Sequence, residues 1–330
     1  MERSVQRILS LGEGQWPTIV VYRSGTYVRG AGFLLSQDRP HRVNPLASRQ
    51  PAPPDAIDAS ENGDRGAIII RPITSLAEFR ACVDVQADVW GPVYNDSVPA
   101  SLIQVATYVG GIALGAFTSR EELVGFVFGL TGVDGGEIVH WSHMLGVRSS
   151  ARNHGIGRML KDAQRAELSR RGINRMSWTF DPLVAKNAHL NLNRLGAHVV
   201  AYVPDVYGTT GSPLHYGIAT DRLIVSVDTR ATPPTDALDS VTTPLPVLSP
   251  ASQPGDLPVN VTTPPPELWI ENPADIRQII EQEESAGATW REAVRAHFQW
   301  ALALGYRVIA LQRDSLRSRS YYLLRRGEAQ

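Results

Sequence analysis

From Ala67 onward the apolar positions recur with two alternating periods, one of strands and one of helices. Residues 67–73 carry Ile68, Ile69 and Ile70 in a short run that reads as a strand. Ser75 followed by Glu78 is a capping box, opening a helix whose Leu76, Phe79, Val83 and Trp90 return at helical spacing. Residues 99–109 predict a second helix, closed by Gly110-Gly111. Strands follow at 112–118 and 123–133 around a turn at 119–122, and again at 137–147. A helix over 155–171 gathers Ile156, Met159, Leu160, Ala163 and Leu168 on one face and stops at Gly172. A strand at 175–180, a helix at 186–195 and strands at 199–203 and 222–227 complete the run. The order β-α-α-β-β-β-α-β-α-β-β contains no repeat and predicts an α+β fold around a mixed sheet.

Proline marks where this regular pattern begins and ends. Six of the 23 prolines lie in residues 1–66 and ten in 230–266. Segment 230–266 has no aromatic residue and no basic one after Arg230, so it predicts an unstructured or extended linker. Within 1–66, residues 18–23 and 26–35 alternate around Ser24-Gly25 as a weak hairpin, and 36–66 predict disorder. After the linker, Asn272 as cap and Pro273 as first residue predict a short helix through Glu283. Thr289 and Glu292 predict a second capping box, for a helix ending at Gly305, before strands at 306–311 and 320–324. A core of this size is marginal alone, so 267–330 is expected to pack back on the domain at 67–229.

Composition narrows the function classes. The 330 residues carry 32 basic and 33 acidic side chains, a net charge of −1. That balance lacks the electrostatic attraction on which nucleic-acid binders depend, and no nucleic-acid partner is expected. The longest uncharged run, 97–119, is interrupted by Pro99, Gln104, Thr107, Gly110 and Gly111, so no membrane span is expected. Residues 8–11 are too short for the apolar core of a secretory signal. A single cysteine, Cys82, excludes an internal disulfide and a Cys-based zinc site. The expectation is a soluble, cytoplasmic, metal-free protein. Only Lys161 and Lys186 are lysines, leaving 30 arginines, a bias we read as codon usage.

The chemistry concentrates in residues 144–160, where a strand runs through a loop into a helix that opens with Arg152-Asn153-His154-Gly155-Ile156-Gly157. Free amides and the positive dipole end at such a helix start bind phosphate. A dinucleotide site would place three glycines after the first strand of a parallel unit; here they follow the fourth strand, and Leu160 occupies the third place. The stretch, with Leu145-Gly146-Val147 ahead of it, resembles the CoA-binding motif of the GNAT superfamily, the acyl-CoA-dependent N-acyltransferases. The likeness covers about 67–229 and is closer to a branch with Ser-His-Met-Leu, Trp-Thr-Phe-Asp-Pro-Leu and Asp-Arg-Leu strands, present at 142–145, 178–183 and 221–223. That branch also carries a C-terminal extension like 267–330.

The resemblance implies a GNAT-like sheet and acetyl-CoA or another acyl-CoA as donor. Amides of Arg152, Asn153, His154, Gly155, Ile156, Gly157 and Arg158 would hold the pyrophosphate. The backbone at Leu145, Gly146 and Val147 would pair with pantetheine, and Asn187 loosely matches the family's next motif. In many members a Tyr protonates the departing thiolate; the matching position here is Leu192. Alternation along the strand puts Val139, Trp141, His143, Leu145 and Val147 on one face. On that face the resemblance points to His143 as general base, with Glu137 as the alternative. His143 as a core histidine held by a carbonyl stays open beside it. Tyr207 is the candidate acid, or else a packed loop residue. Trp141, Trp178, Phe180, Asp181 and Arg222 are candidates for the acceptor pocket, with core packing, turn formation or a solvated face as their plainer roles.

Two readings compete. One is an N-acyltransferase moving an acetyl or larger group such as succinyl to a small-molecule amine by direct attack, without an acyl-enzyme. The other is a non-catalytic acyl-CoA-binding regulator, which the missing Tyr favours. For the C-terminal piece two roles are open, closure over the acceptor pocket or formation of a homodimer.

Overall fold

The computed structural model describes residues 21–23, 26–28, 67–208, 212, 217–232, 246–251, 264–314 and 317–327. Strands β1 (Val21–Arg23) and β2 (Thr26–Val28) pair antiparallel, Val21 opposite Val28, within a unit of residues 1–50 that is separate from 51–330. The disorder expected for 36–66 and most of the expected linker lie outside the described residues.

The larger unit is built on a seven-stranded mixed sheet in the order β3 (Ile69–Pro72), β4 (Ile112–Phe117), β5 (Leu123–Asp134), β6 (Glu137–Val147), β7 (Arg175–Phe180), β9 (Arg222–Asp228), β8 (His198–Val203). Every neighbouring pair is antiparallel except β6 and β7. Helices α1 (Leu76–Trp90) and α2 (Ala100–Tyr108) cover one face, burying Phe79, Cys82, Val85 and Ile103 against Phe117, Phe126 and Phe128. Helix α3 (Ile156–Arg170) covers the other, setting Leu160 and Leu168 against Leu114, Val127 and Val225. Coverage on both sides explains why β4 is apolar along its whole length.

The punctuation read from the sequence acts as expected at α1 and α3. Ser75 Oγ accepts the Glu78 amide at 3.2 Å, and Glu78 accepts the Ser75 amide at 3.0 Å. Desolvation pushes the Glu78 carboxyl up, but the Ser75 and Thr74 amides and Arg71 outweigh it, and its pKa falls to about 2. At the end of α3, Gly172 takes φ +73° and the Ile173 amide closes on Leu168 O at 3.0 Å. The helix expected over 186–195 is instead one α-turn, α4 (Ala185–Ala188), that widens into a π-turn over His189–Arg194. The wider turn aims Asn191 at Trp178 Nε1 (3.0 Å) and Asn193 at both backbone groups of Leu311 (3.0 Å each).

A second sheet follows, in the order β10 (Val247–Leu248), β11 (Glu267–Pro273), β13 (Arg319–Arg326), β12 (Tyr306–Asp314). Its first strand comes from inside the expected linker: Val247 pairs with Trp269 and Leu248 with Ile270, and Leu248 is buried. Asn272 and Pro273 do not open a helix. They continue β11 because Ser320 and Arg319 of β13 pair with them, and the cap falls to Asp275, whose side chain accepts the Arg277 amide at 2.9 Å ahead of α5 (Ile276–Gln282). Helix α6 runs from Glu284 to Ala303, so Thr289 sits inside it and donates its hydroxyl back to Ser285 O.

The C-terminal piece shares a core with the main sheet. Phe298, Val294, Trp290 and Tyr322 are continuous with Trp178, Phe180, Leu183 and Leu192. Tyr322 donates to Pro182 O at 2.5 Å across that seam. Among the described residues no helix is long and apolar enough to cross a membrane.

Candidate functional site

Strands β6 and β7 meet over three rungs only: Val139 with Arg175, His140 with Met176 and Trp141 with Ser177. Beyond that point β6 continues to Val147 on β5, and β7 continues to Phe180 on β9, without pairing each other. The main-chain edge of 142–147 that faces the split therefore pairs with no strand among the described residues, an arrangement that in a sheet interior calls for another partner. From Ser142 to Val147 this edge runs roughly 17 Å at 3.3 Å per residue.

The pairing of β6 with β5 slips at the same place. Phe128 faces Met144 and Gly129 faces Ser142, leaving His143 as the extra residue of a bulge. The bulge overturns the expected alternation. His140 and Ser142 reach Gln164 on α3, at 3.1 and 2.7 Å, so Trp141 between them points to the α1 side. Past the bulge Leu145 and Val147 pack on the α3 side, while Met144 joins the α1 cluster. His143 also lies on the α1 side, edge-on to Phe128 with ring centroids 6.3 Å apart. Trp141 and His143 thus share a face that Leu145 and Val147 do not.

His143 is exposed. Burial of its surroundings lowers its pKa, against a smaller opposing pull from Asp96 in the α1–α2 loop, so the imidazole is neutral at pH 7. Tyr94 of the same loop stacks on Trp90, and burial, with Asp96 and Tyr207 nearby, pushes its hydroxyl up to about 12 against Arg222. Tyr207 is partly exposed, with its hydroxyl 3.2 Å from Thr179 Oγ1 and Arg222 5.1 Å above its ring. The loop, His143, Tyr207 and Arg222 therefore gather on one side of the split. Glu137 does not join them: it faces Asp134 at the β5–β6 turn, six residues and about 20 Å along the strand from His143.

The phosphate-type loop follows Val147 directly. Asn153 (φ +69°) and Gly155 (φ +75°) take left-handed conformations that turn the chain into α3. The first amide to find a helical acceptor there is that of Met159, on Gly155 O at 3.0 Å; those of Ile156, Gly157 and Arg158 point out of the helix start. Arg152 Nε donates to Val147 O at 3.1 Å, and His154 Nδ1 lies 3.3 Å from Ala151 O. Lys186 donates to Asn153 Oδ1, which brings exposed Asn187 and α4 beside the loop. Asp88 of α1 accepts the Ser149 amide at 3.2 Å, and a Cβ at Gly146 would press Trp90 at 3.2 Å. Arg158 reaches outward to Asp162 at 3.4 Å.

The remaining candidates are engaged from the C-terminal side. Trp178 and Phe180 are each 4% exposed, in the core. Asp181 receives a fork from Arg291 of α6, at 2.9 and 2.7 Å, accepts the Leu183 amide and lies 3.6 Å from Arg222. Arg295 forks onto Asp221 in the same way, at 2.8 and 2.6 Å. Leu192 is packed in the core and offers no proton. Cys82 is buried, and burial with the nearby Glu78 charge pushes its thiol up to about 12, which makes it unreactive.

One group at the split was not singled out from sequence. Lys161 lies 3% exposed at its closed end, donating to Ser142 Oγ at 2.7 Å with its ammonium nitrogen 4.0 Å from the Trp178 ring centre. Its spacing on α3, four residues after Gly157 and seven before Leu168, places it on the buried stripe and is the signal that could have revealed it.

No family model and no curated protein matches the chain. Several solved structures are similar to it. The chain is similar to the ribosomal-protein-S18-alanine N-acetyltransferase from Escherichia coli at 15% identity and a TM-score of 0.40, over 52% of this chain and 99% of that one. Aminoglycoside 6'-acetyltransferase type Ii aligns at 22% identity and 0.40, over 50% and 99%. An aminoglycoside 6'-N-acetyltransferase complexed with coenzyme A aligns at 19% and 0.38, over 50% and 99%.

Proposed function

We propose that the chain is an acyl-CoA-dependent N-acyltransferase acting on a small-molecule amine. The observation that carries this reading is the split between β6 and β7, opening beside the bare helix start of α3. A ligand with an anionic head and an extended amide-bearing arm fits both features, and the resemblance of the Arg152–Gly157 motif to the GNAT superfamily names acyl-CoA as that ligand. The amides of 152–158 would take the pyrophosphate, with Asn187 beside them. The main chain at Leu145, Gly146 and Val147, on the edge that faces the split, would bond the pantetheine amides.

The chemistry follows from the groups on the α1 side. Neutral His143 takes the proton of the attacking amine, directly or through water. The amine forms its C–N bond as the thioester C–S bond breaks, and Tyr207 returns a proton to the leaving thiolate. Trp141 and Arg222 would border the acceptor, with Asp181 fixing Arg222 from behind. Trp178 and Phe180 would form the wall behind the acyl group. His143, on the side of Tyr207, serves this role where Glu137 is out of reach.

Buried Leu192 favours the competing reading of an acyl-CoA-binding regulator. Turnover decides between them. With acetyl-CoA and a panel of amines, the parent is expected to release CoA, and His143→Ala to lose roughly a hundredfold or more of that rate with CoA affinity retained. Tight acyl-CoA binding without turnover in the parent would contradict the enzyme and support the regulator.

A further inference from the structure

A directed chain of hydrogen bonds ends at Lys161. Thr131 Oγ1 donates to Gly110 O at 2.7 Å, so it accepts from His140 Nδ1–H at 3.0 Å. His140 Nε2 is then bare and accepts from the Gln164 amide at 3.1 Å. Gln164 Oε1 accepts the Ser142 hydroxyl proton at 2.7 Å, and Ser142 Oγ is left to accept from Lys161 at 2.7 Å. The direction of each bond in the chain is fixed, and none of its members carries a negative charge. His140 is held neutral by burial, then by Lys161 and Arg171, at a pKa of about 3.

Lys161 is therefore a buried amine whose partners are a hydroxyl and the face of an indole, with no carboxylate paired to it among the described residues. Burial lowers its pKa well below that of a free lysine. Both of its contacts are the first residues beyond the last shared rung, Ser142 on β6 and Trp178 on β7. The amine thus closes the end of the split opposite the phosphate-binding loop, where the proposed acyl-CoA would place its acyl group. An ammonium in such a site is costly without a counterion, and an arriving carboxylate supplies one.

We propose that Lys161 sets the acyl specificity, selecting acyl-CoA thioesters whose acyl chain ends in a carboxylate. The inference rests on the acyltransferase reading above. It is tested by calorimetric titration with succinyl-CoA, with butyryl-CoA, whose acyl chain has the same length and no charge, and with free CoA. Succinyl-CoA is expected to bind the parent roughly tenfold to a hundredfold tighter than butyryl-CoA, and that ratio to fall to about one in Lys161→Met. Should the variant not fold, the parent alone decides. Repeating its titrations in two buffers of different ionisation enthalpy should show more proton uptake with succinyl-CoA than with butyryl-CoA, because a carboxylate beside the amine favours the ammonium form and the buffer supplies the proton. Equal affinity for the two thioesters, or equal proton uptake, overturns the inference while leaving the acyltransferase reading intact. Failure of all three ligands to bind overturns both together. An acyl adduct mapped to Lys161 would make the amine a nucleophile and likewise overturn the specificity role.

Discussion

Arg291 and Lys161 are two basic side chains buried in the same continuous core, 2% and 3% exposed, and they are treated in opposite ways. Arg291 is forked onto Asp181, so the C-terminal helix is pinned to the end of β7 by a two-bonded ion pair. Lys161 has a hydroxyl and an indole face instead. A buried pair that loses one member leaves a bare charge, whereas a buried amine without a pair can shed its proton and wait for a ligand. The first pattern belongs to architecture, and the second to a site.

The largest effect should separate the two outright. Arg291→Ala removes the fork from Asp181, leaving Arg222 at 3.6 Å as its remaining cation, and is expected to cost about 3 kcal/mol in urea unfolding. Lys161→Met keeps the volume and removes the amine, and is expected to change stability by less than about 1 kcal/mol in either direction. Equal losses would erase the distinction. Next in size is Ser142→Ala, which takes the acceptor from Lys161 and the donor from Gln164, an expected loss of about 1–3 kcal/mol. The smallest effect is a pH-dependent control far from both side chains. Because the Glu78 pKa is depressed from 4.5 to about 2, its contribution is complete above pH 4.5 and lost as the pH falls toward 2. Melting temperatures of the parent and Glu78→Gln should differ at pH 7 and converge in acid; a constant difference would contradict the capping role.

Local signals made most of the main sheet legible. Caps such as Ser75, the stop at Gly172 and the helical spacing of α3 each act within one or two turns, so they survive in any context. What could not be read depends on partners distant in sequence. Asn272 and Pro273 look like a helix start, but pairing with β13, nearly 50 residues on, keeps them in a strand. The two residues of β10 carry no pattern of their own and become a strand only because β11 is there. The expected grouping of His143 with Leu145 and Val147 fails for the same reason. Alternation is a rule for regular strands, and the bulge that breaks it is visible only in the register against β5. The turn at 152–157 into α3 was legible because its glycines and its helix are contiguous. Lys161 was not, because its meaning depends on the absence of a carboxylate among neighbours from β6 and β7.

The proposal of an acyl-CoA enzyme stands or falls on the start of α3. Gly157 has room for a side chain, since its nearest neighbour there, Leu145 Cδ2, would lie 3.7 Å from a new Cβ, and a carboxylate at a helix N-terminus favours folding. Gly157→Glu should therefore fold yet fill the anion site with its own charge. Calorimetric titration of parent and variant with CoA is the most direct test. Micromolar binding by the parent and none by Gly157→Glu is the predicted result; equal binding by both would place the ligand elsewhere and contradict the account.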